Sequence, residues 1–110
     1  MAYSEALADR IRAVLARRRG ISEKRMFGGL AFLVDGKMFC GVIGRDLMAR
    51  VGPEAWERAL ARPHARRMDF TGRPLTGYVY VAPPGVRTAA SLRKWVDQAL
   101  DFTRALRSQR

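Results

Sequence analysis

Cys40 and His64 are the only cysteine and histidine in the chain, and a thiolate with a neighbouring base is the one nucleophilic pair they could form. Their surroundings point elsewhere. Cys40 sits inside the apolar run Met38-Phe39-Cys40-Gly41-Val42, and free cysteine is among the most buried residue types, so a packed thiol is expected. His64 follows Pro63, which reads as a solvent-facing turn. A cysteine-dependent enzyme using Cys40 is therefore the least favoured reading.

One histidine and one cysteine supply neither a zinc quartet nor a helical histidine pair. The ten acidic residues are spread singly, with only Glu54/Glu57 and Asp97/Asp101 able to share a helix face, so no magnesium or calcium site is expected. Asp69-Phe70-Thr71-Gly72 superficially matches the metal-binding Asp-Phe-Gly of kinases but has no phosphate loop before it. Gly28-Gly29, Gly41 and Gly44 fit neither dinucleotide nor P-loop spacing. No catalytic residue, cofactor or metal is expected.

What remains is charge: 21 basic against 10 acidic side chains, a net +11. Residues 1–20 carry five basic and two acidic side chains, 21–60 six and five, and 61–110 ten and three. Such a field draws nucleic acid, anionic lipid or an acidic protein without choosing among them. Eighteen of the basic residues are arginine, a skew that suits phosphate forks but that codon bias alone would also produce. Arg66, Arg67 and Arg73 around one strand and its loop, with Arg104 and Arg107 on the last helix, are the candidate contacts to a protein partner or nucleic acid. Six phosphate contacts would make affinity fall roughly a thousandfold between 50 and 200 mM salt. A solvated face that keeps the protein in solution is the plainer alternative, and no helix-turn-helix, zinc finger or aromatic ribonucleoprotein signature is present.

The elements that must position these residues are legible from periodicity. Leu7, Ile11, Val14 and Leu15 recur at helical spacing after the capping residue Ser4, predicting a first helix to Arg19, with Arg17, Arg18 and Arg19 at its carbonyl end and Gly20 as the stop. Three strands follow, Leu30–Val34, Lys37–Ile43 and Asp46–Val51. Asp35-Gly36 between the first two is the strongest hairpin signal in the chain. Pro53 opens a short helix, Glu54–Ala61. Strands are expected at Ala65–Phe70 and Gly77–Val81, joined by a loop from Thr71 to Thr76. After the break at Pro83-Pro84-Gly85, Thr88 caps a last helix with a wide stripe from Leu92 to Leu106 and an Arg93/Asp97 pair on its outer face. The order α-β-β-β-α-β-β-α predicts a two-layer α+β domain, an antiparallel sheet of about five strands with three helices.

A chain of this size buries roughly 60–70% of its unfolded surface, so one domain spanning 1–110 can hold a core without disulfides. The N-terminus lacks a basic region before an apolar run, and the longest uncharged stretch, Pro74–Val86, is short and holds three prolines. A cytoplasmic protein that does not enter membranes is expected. Several strands are apolar on both faces, and three helices must cover them; either the first and last helices suffice, or a homodimer covers the rest.

Four segments resemble a known family. Arg25-Met26-Phe27-Gly28-Gly29, Val34-Asp35-Gly36-Lys37-Met38-Phe39, Asp69-Phe70-Thr71-Gly72-Arg73-Pro74 and Gly77-Tyr78-Val79-Tyr80-Val81 are similar, in order and spacing, to the N-terminal domain of TfoX (Sxy) proteins. The likeness runs from about Tyr3 to Leu106. It implies a two-layer α+β domain and a role in bacterial gene regulation. Two-domain members regulate competence for DNA uptake, as coactivators acting with the cyclic-AMP receptor protein rather than as enzymes. Their second, helix-hairpin-helix-like domain is not part of these 110 residues, and no catalytic residue comes with the resemblance. The motif residues, Arg25 to Gly29, Asp35 to Lys37, Asp69, Phe70, Gly72 and Pro74, are expected to be mainly structural.

Overall fold

A computed structural model describes residues 3–26, 28–70 and 73–106, without the side chains of 70, 73 and 74. It holds three α-helices, α1 (Glu5–Val14), α2 (Trp56–Leu60) and α3 (Ala89–Leu106), and six strands. These are β1 (Ile21–Met26), β2 (Gly29–Val34), β3 (Lys37–Ile43), β4 (Asp46–Arg50), β5 (Ala65–Phe70) and β6 (Arg73–Val81). The sheet is wholly antiparallel in the order β1-β2-β3-β4-β6-β5.

The sixth strand, absent from the expectation of about five, is β1. Its sequence, Ile-Ser-Glu-Lys-Arg-Met, has almost no apolar alternation because it is an edge whose four central side chains are exposed. Charged side chains there also discourage pairing with another chain's edge.

Helix α1 starts as expected, with the Leu7 amide donating to Ser4 Oγ at 3.1 Å. It ends at Val14 rather than Arg19. Leu15 is the last buried residue of its stripe, and Ala16 to Arg19 offer only the exposed Ala16 methyl to hold another turn onto the sheet, which is where most helical stability in proteins originates. The three arginines therefore lie beyond the helix. Helix α2 is also shorter than expected, five residues from Trp56, and is fixed by the Trp56 indole donating to the Tyr78 carbonyl at 2.9 Å.

The expected loop before Gly77 is largely strand, since β6 starts at Arg73. Pro74 is tolerated there because β4 pairs with β6 only from Tyr78 to Val81, so the missing amide leaves no rung broken on that side. Pro83–Val86 forms a 3-10 turn. Thr88 caps α3, its Oγ1 accepting from the Ser91 amide at 3.0 Å. Asp97 pairs with Arg18 across the molecule at 2.8 Å instead of with Arg93 on its own helix, because the residues after α1 fold back over that face.

All three helices pack on one face of the sheet. Trp95, Val96, Ala99 and Leu100 of α3 and Leu7, Ala8 and Ile11 of α1 meet Phe32, Phe39, Val42, Leu47, Val79 and Val81 in one buried core. The other face carries no helix among the described residues. Ala31, Met48 and Met68 on it are nevertheless 2–3% exposed and stand outside that core. A flat six-stranded sheet would separate its edges by roughly 24 Å at about 4.8 Å per gap. Met26 of one edge strand and Met68 of the other line a single cavity, so the sheet curls strongly around its helix-free face.

Candidate functional site

Cys40 is fully buried in the core, and burial pushes its thiol proton far from release. A thiol so held is no nucleophile near neutral pH. His64 is exposed in a turn with φ +68°. Among the described residues no three of His, Cys, Asp and Glu come together.

The arginines singled out by sequence do not form one surface. Arg66 pairs across strands with Tyr80 and Arg67 with Val79, so the two point to opposite faces. Arg66 is engaged within the molecule, its Nη2 2.6 Å from Asp46 Oδ2 and its guanidinium 4.9 Å from the Tyr80 ring centre. Arg67 lies 5.6 Å from the Trp56 ring centre on the helix side. Arg62 is likewise spent, stacked 3.4 Å over Trp95 and donating to Gln98 Oε1 at 2.9 Å; burial lowers its proton affinity. The Arg73 side chain and Arg107 lie outside the described residues.

Arg104 behaves differently. Its Nη2 donates to the Arg19 carbonyl at 2.7 Å, joining the end of α3 to the segment that follows α1, 85 residues away in sequence. Arg17, Arg18, Arg19 and Arg104 then surround an open depression of about 470 Å³, with Gly20 and Asp35 on its wall. Arg18 is offset by Asp97. Arg17, Arg19 and Arg104 have no carboxylate partner among the described residues. The arginine triplet after α1 and Arg104 near the end of α3 thus share one pole.

Sequence reasoning named Arg104 but assigned Arg17 to Arg19 to the dipole of α1. The regional charge count was the available signal. It could not show that the two stretches touch, because nothing local encodes the Arg104–Arg19 contact.

The glycine-marked motifs are turns and close approaches. Asp35 and Gly36 have φ of +50° and +83°, as a two-residue hairpin requires, and Val34 pairs with Lys37. Gly28 has φ +74°, Met26 pairs with Gly29, and a Cβ on Gly29 would collide with the Val42 carbonyl. Asp69 faces Pro74 in the β5–β6 pair. Arg25 and Asp69 are exposed, while Phe27 and Gly72 lie outside the described residues.

The described residues form a small α+β domain with a basic pole at one end and a buried thiol at Cys40. The model of the TfoX N-terminal domain matches residues 13–103, and the chain belongs to that family, one generally regarded as non-catalytic. No curated protein matches it. Among the described residues no helix is long and apolar enough to cross a membrane.

Proposed function

We propose that this domain is a non-enzymatic adaptor in bacterial gene regulation, docking an acidic surface of a protein partner through the pole formed by Arg17, Arg19 and Arg104. The transcription machinery, in the manner of a cyclic-AMP receptor protein at its promoters, is the partner class that family membership favours. The observation that carries this reading is the Arg104 to Arg19 hydrogen bond, which brings guanidinium groups from the segment after α1 and the end of α3 to one pole. Arginine clusters of this kind recognise carboxylates in fixed, forked geometry. Direct nucleic-acid binding is less supported, because Arg66 and Arg67 are engaged within the molecule and face apart.

The test is photo-crosslinking in cells from Arg17→p-benzoylphenylalanine, with adducts identified by mass spectrometry. Adducts to a transcription protein that disappear with Arg19→Glu and Arg104→Glu support the reading. Absence of protein adducts, together with saturable duplex-DNA anisotropy at 50 mM salt that collapses at 200 mM, would replace it with direct phosphate contact.

A further inference from the structure

The helix-free face contains a site unrelated to the basic pole. Four of the chain's five methionines, Met26, Met38, Met48 and Met68, line one cavity of about 200 Å³ together with Tyr78. Its floor is set by register. Ala31 lies opposite Gly41, and Gly41 opposite Met48, so the two smallest side chains on that face sit side by side on the central strands. Gly41 is bare of necessity, since a Cβ there would stand 2.6 Å from the Leu30 carbonyl oxygen. Small residues in the floor and long ones in the walls leave a hollow where interiors are normally filled to crystal density.

Among the described residues the lining carries no charged side chain. An engineered apolar cavity of roughly 150 Å³ takes up benzene, so the space here admits a single substituted ring. Methionine sulfur favours aromatic edges, and its unbranched chain adapts to what enters.

A cation stands beside two of the lining residues, Met38 and Tyr78. Arg50 follows Met48 by two residues on β4 and pairs across strands with Tyr78, which puts it on the same face as the cavity. Its guanidinium lies 5.6 Å from the Tyr78 ring centre and 5.8 Å from that of Phe102, where it curls over the end of the sheet. One nitrogen donates to the Met38 carbonyl at 3.4 Å. No carboxylate pairs with it among the described residues. Of five guanidinium N–H groups, one has a hydrogen-bond acceptor among the described residues.

We propose that this cavity binds a small aromatic carboxylate, its ring among the four methionines and its carboxylate on Arg50. The apolar lining matches the ring, and the half-buried, unneutralised guanidinium matches the anion. Nothing in this assignment depends on the basic pole or on the adaptor reading.

The full chain, labelled with carbon-13 at methionine and valine methyls, is titrated with 4-fluorophenylacetate and, separately, with neutral 4-fluorotoluene. The ring should shift the methyl signals of Met26, Met38, Met48 and Met68 in a saturable way and leave Val79 and Val96 of the helix-covered core unmoved. The carboxylate should bind about tenfold more tightly than the neutral probe. Arg50→Gln should erase that preference while leaving 4-fluorotoluene binding intact, and Ala31→Leu should abolish binding of both in a protein whose core signals are unchanged. Absence of shifts at millimolar probe overturns the site. An undiminished preference for the carboxylate in Arg50→Gln overturns the anion assignment. Shifts of the same four methyls with protein concentration alone would place a second copy on this face and overturn the ligand reading.

Discussion

The two faces of the sheet are made from different residues although the same strands build both. Toward the helices stand Phe32, Phe39, Val42, Leu47, Val79 and Val81, each fully buried against Trp95, Ile11 and Leu100. Away from them stand Ala31, Gly41 and four methionines around a hollow. Branched and aromatic side chains have few rotamers and fill space in one way, whereas methionine has three rotatable bonds and fills it in many. One face is specified for a unique packing; the other keeps volume and adaptability. The fold therefore rests on the first, and the second is free to meet something else.

The largest effect should come from the helix-covered side. Trp95 is the largest fully buried side chain and also carries Arg62 stacked 3.4 Å above its ring. Trp95→Ala should cost about 3–5 kcal/mol, seen as a drop in the urea midpoint with little change in slope. A loss below 1 kcal/mol would mean that α3 does not anchor the domain. Gly52→Ala comes next. Gly52 has φ +90°, and a Cβ there would run into the Phe102 ring, so the left-handed penalty and overpacking add to about 3 kcal/mol. Thermal unfolding of the variant checks it, and restoring the space with Phe102→Leu should recover part of the loss.

Substitutions on the helix-free side should be milder for their size. Met48 and Met68 are as buried as core residues, at 2% and 3%, yet each lines the cavity and has room to reshape. Met48→Leu and Met68→Leu should each cost less than about 1.5 kcal/mol. Ala31→Leu, which in a filled core would be destabilising by ~1–3 kcal/mol, should be nearly neutral because the added carbons enter the hollow. If Ala31→Leu costs as much as a core insertion, the two faces are packed alike and the contrast fails.

How far the sequence could have told these faces apart depends on the residues. Asp35-Gly36 and the caps Ser4 and Thr88 are local signals, and the turn and caps stand where the chain's own chemistry put them. The strand β1 was not legible, since an exposed edge carries little apolar alternation, nor was the early end of α1, which reflects what the sheet offers to be packed against. The doubly apolar strands did signal that both faces matter. They could not show that the helices would all choose one side or that the sheet would curl until its two edges shared a cavity. Arg104 was legible as a candidate, but its contact with Arg19 spans the chain, and Arg50 drew no notice because its role depends on standing opposite Tyr78. Residues acting through register or long-range contact leave no periodic trace.

The smallest effect belongs to the exposed rim of the helix-covered face, where α1 meets the edge strand. Arg12 donates to both oxygens of Glu23, at 2.7 and 2.9 Å, and to Asp9 at 2.7 Å. The hydrogen bonds from Arg12 hold the Glu23 carboxyl below the ordinary glutamate range, with burial opposing and the guanidinium charge assisting to a smaller extent. A folded-state value below the unfolded one means that the native protein binds fewer protons. The contribution is therefore present above the unfolded value, near 4.5, and is lost as pH falls through the folded value. Both side chains are more than a third exposed or close to it, at 38% and 35%, so water screens the pair to a few tenths of a kcal/mol. Glu23→Gln should leave stability at pH 7 almost unchanged while flattening the acid limb of a urea-midpoint profile between pH 5 and pH 3. A flattening at high pH instead, or a loss above about 1 kcal/mol at neutral pH, would show that this edge is fastened to α1 more firmly than a forked surface ion pair allows.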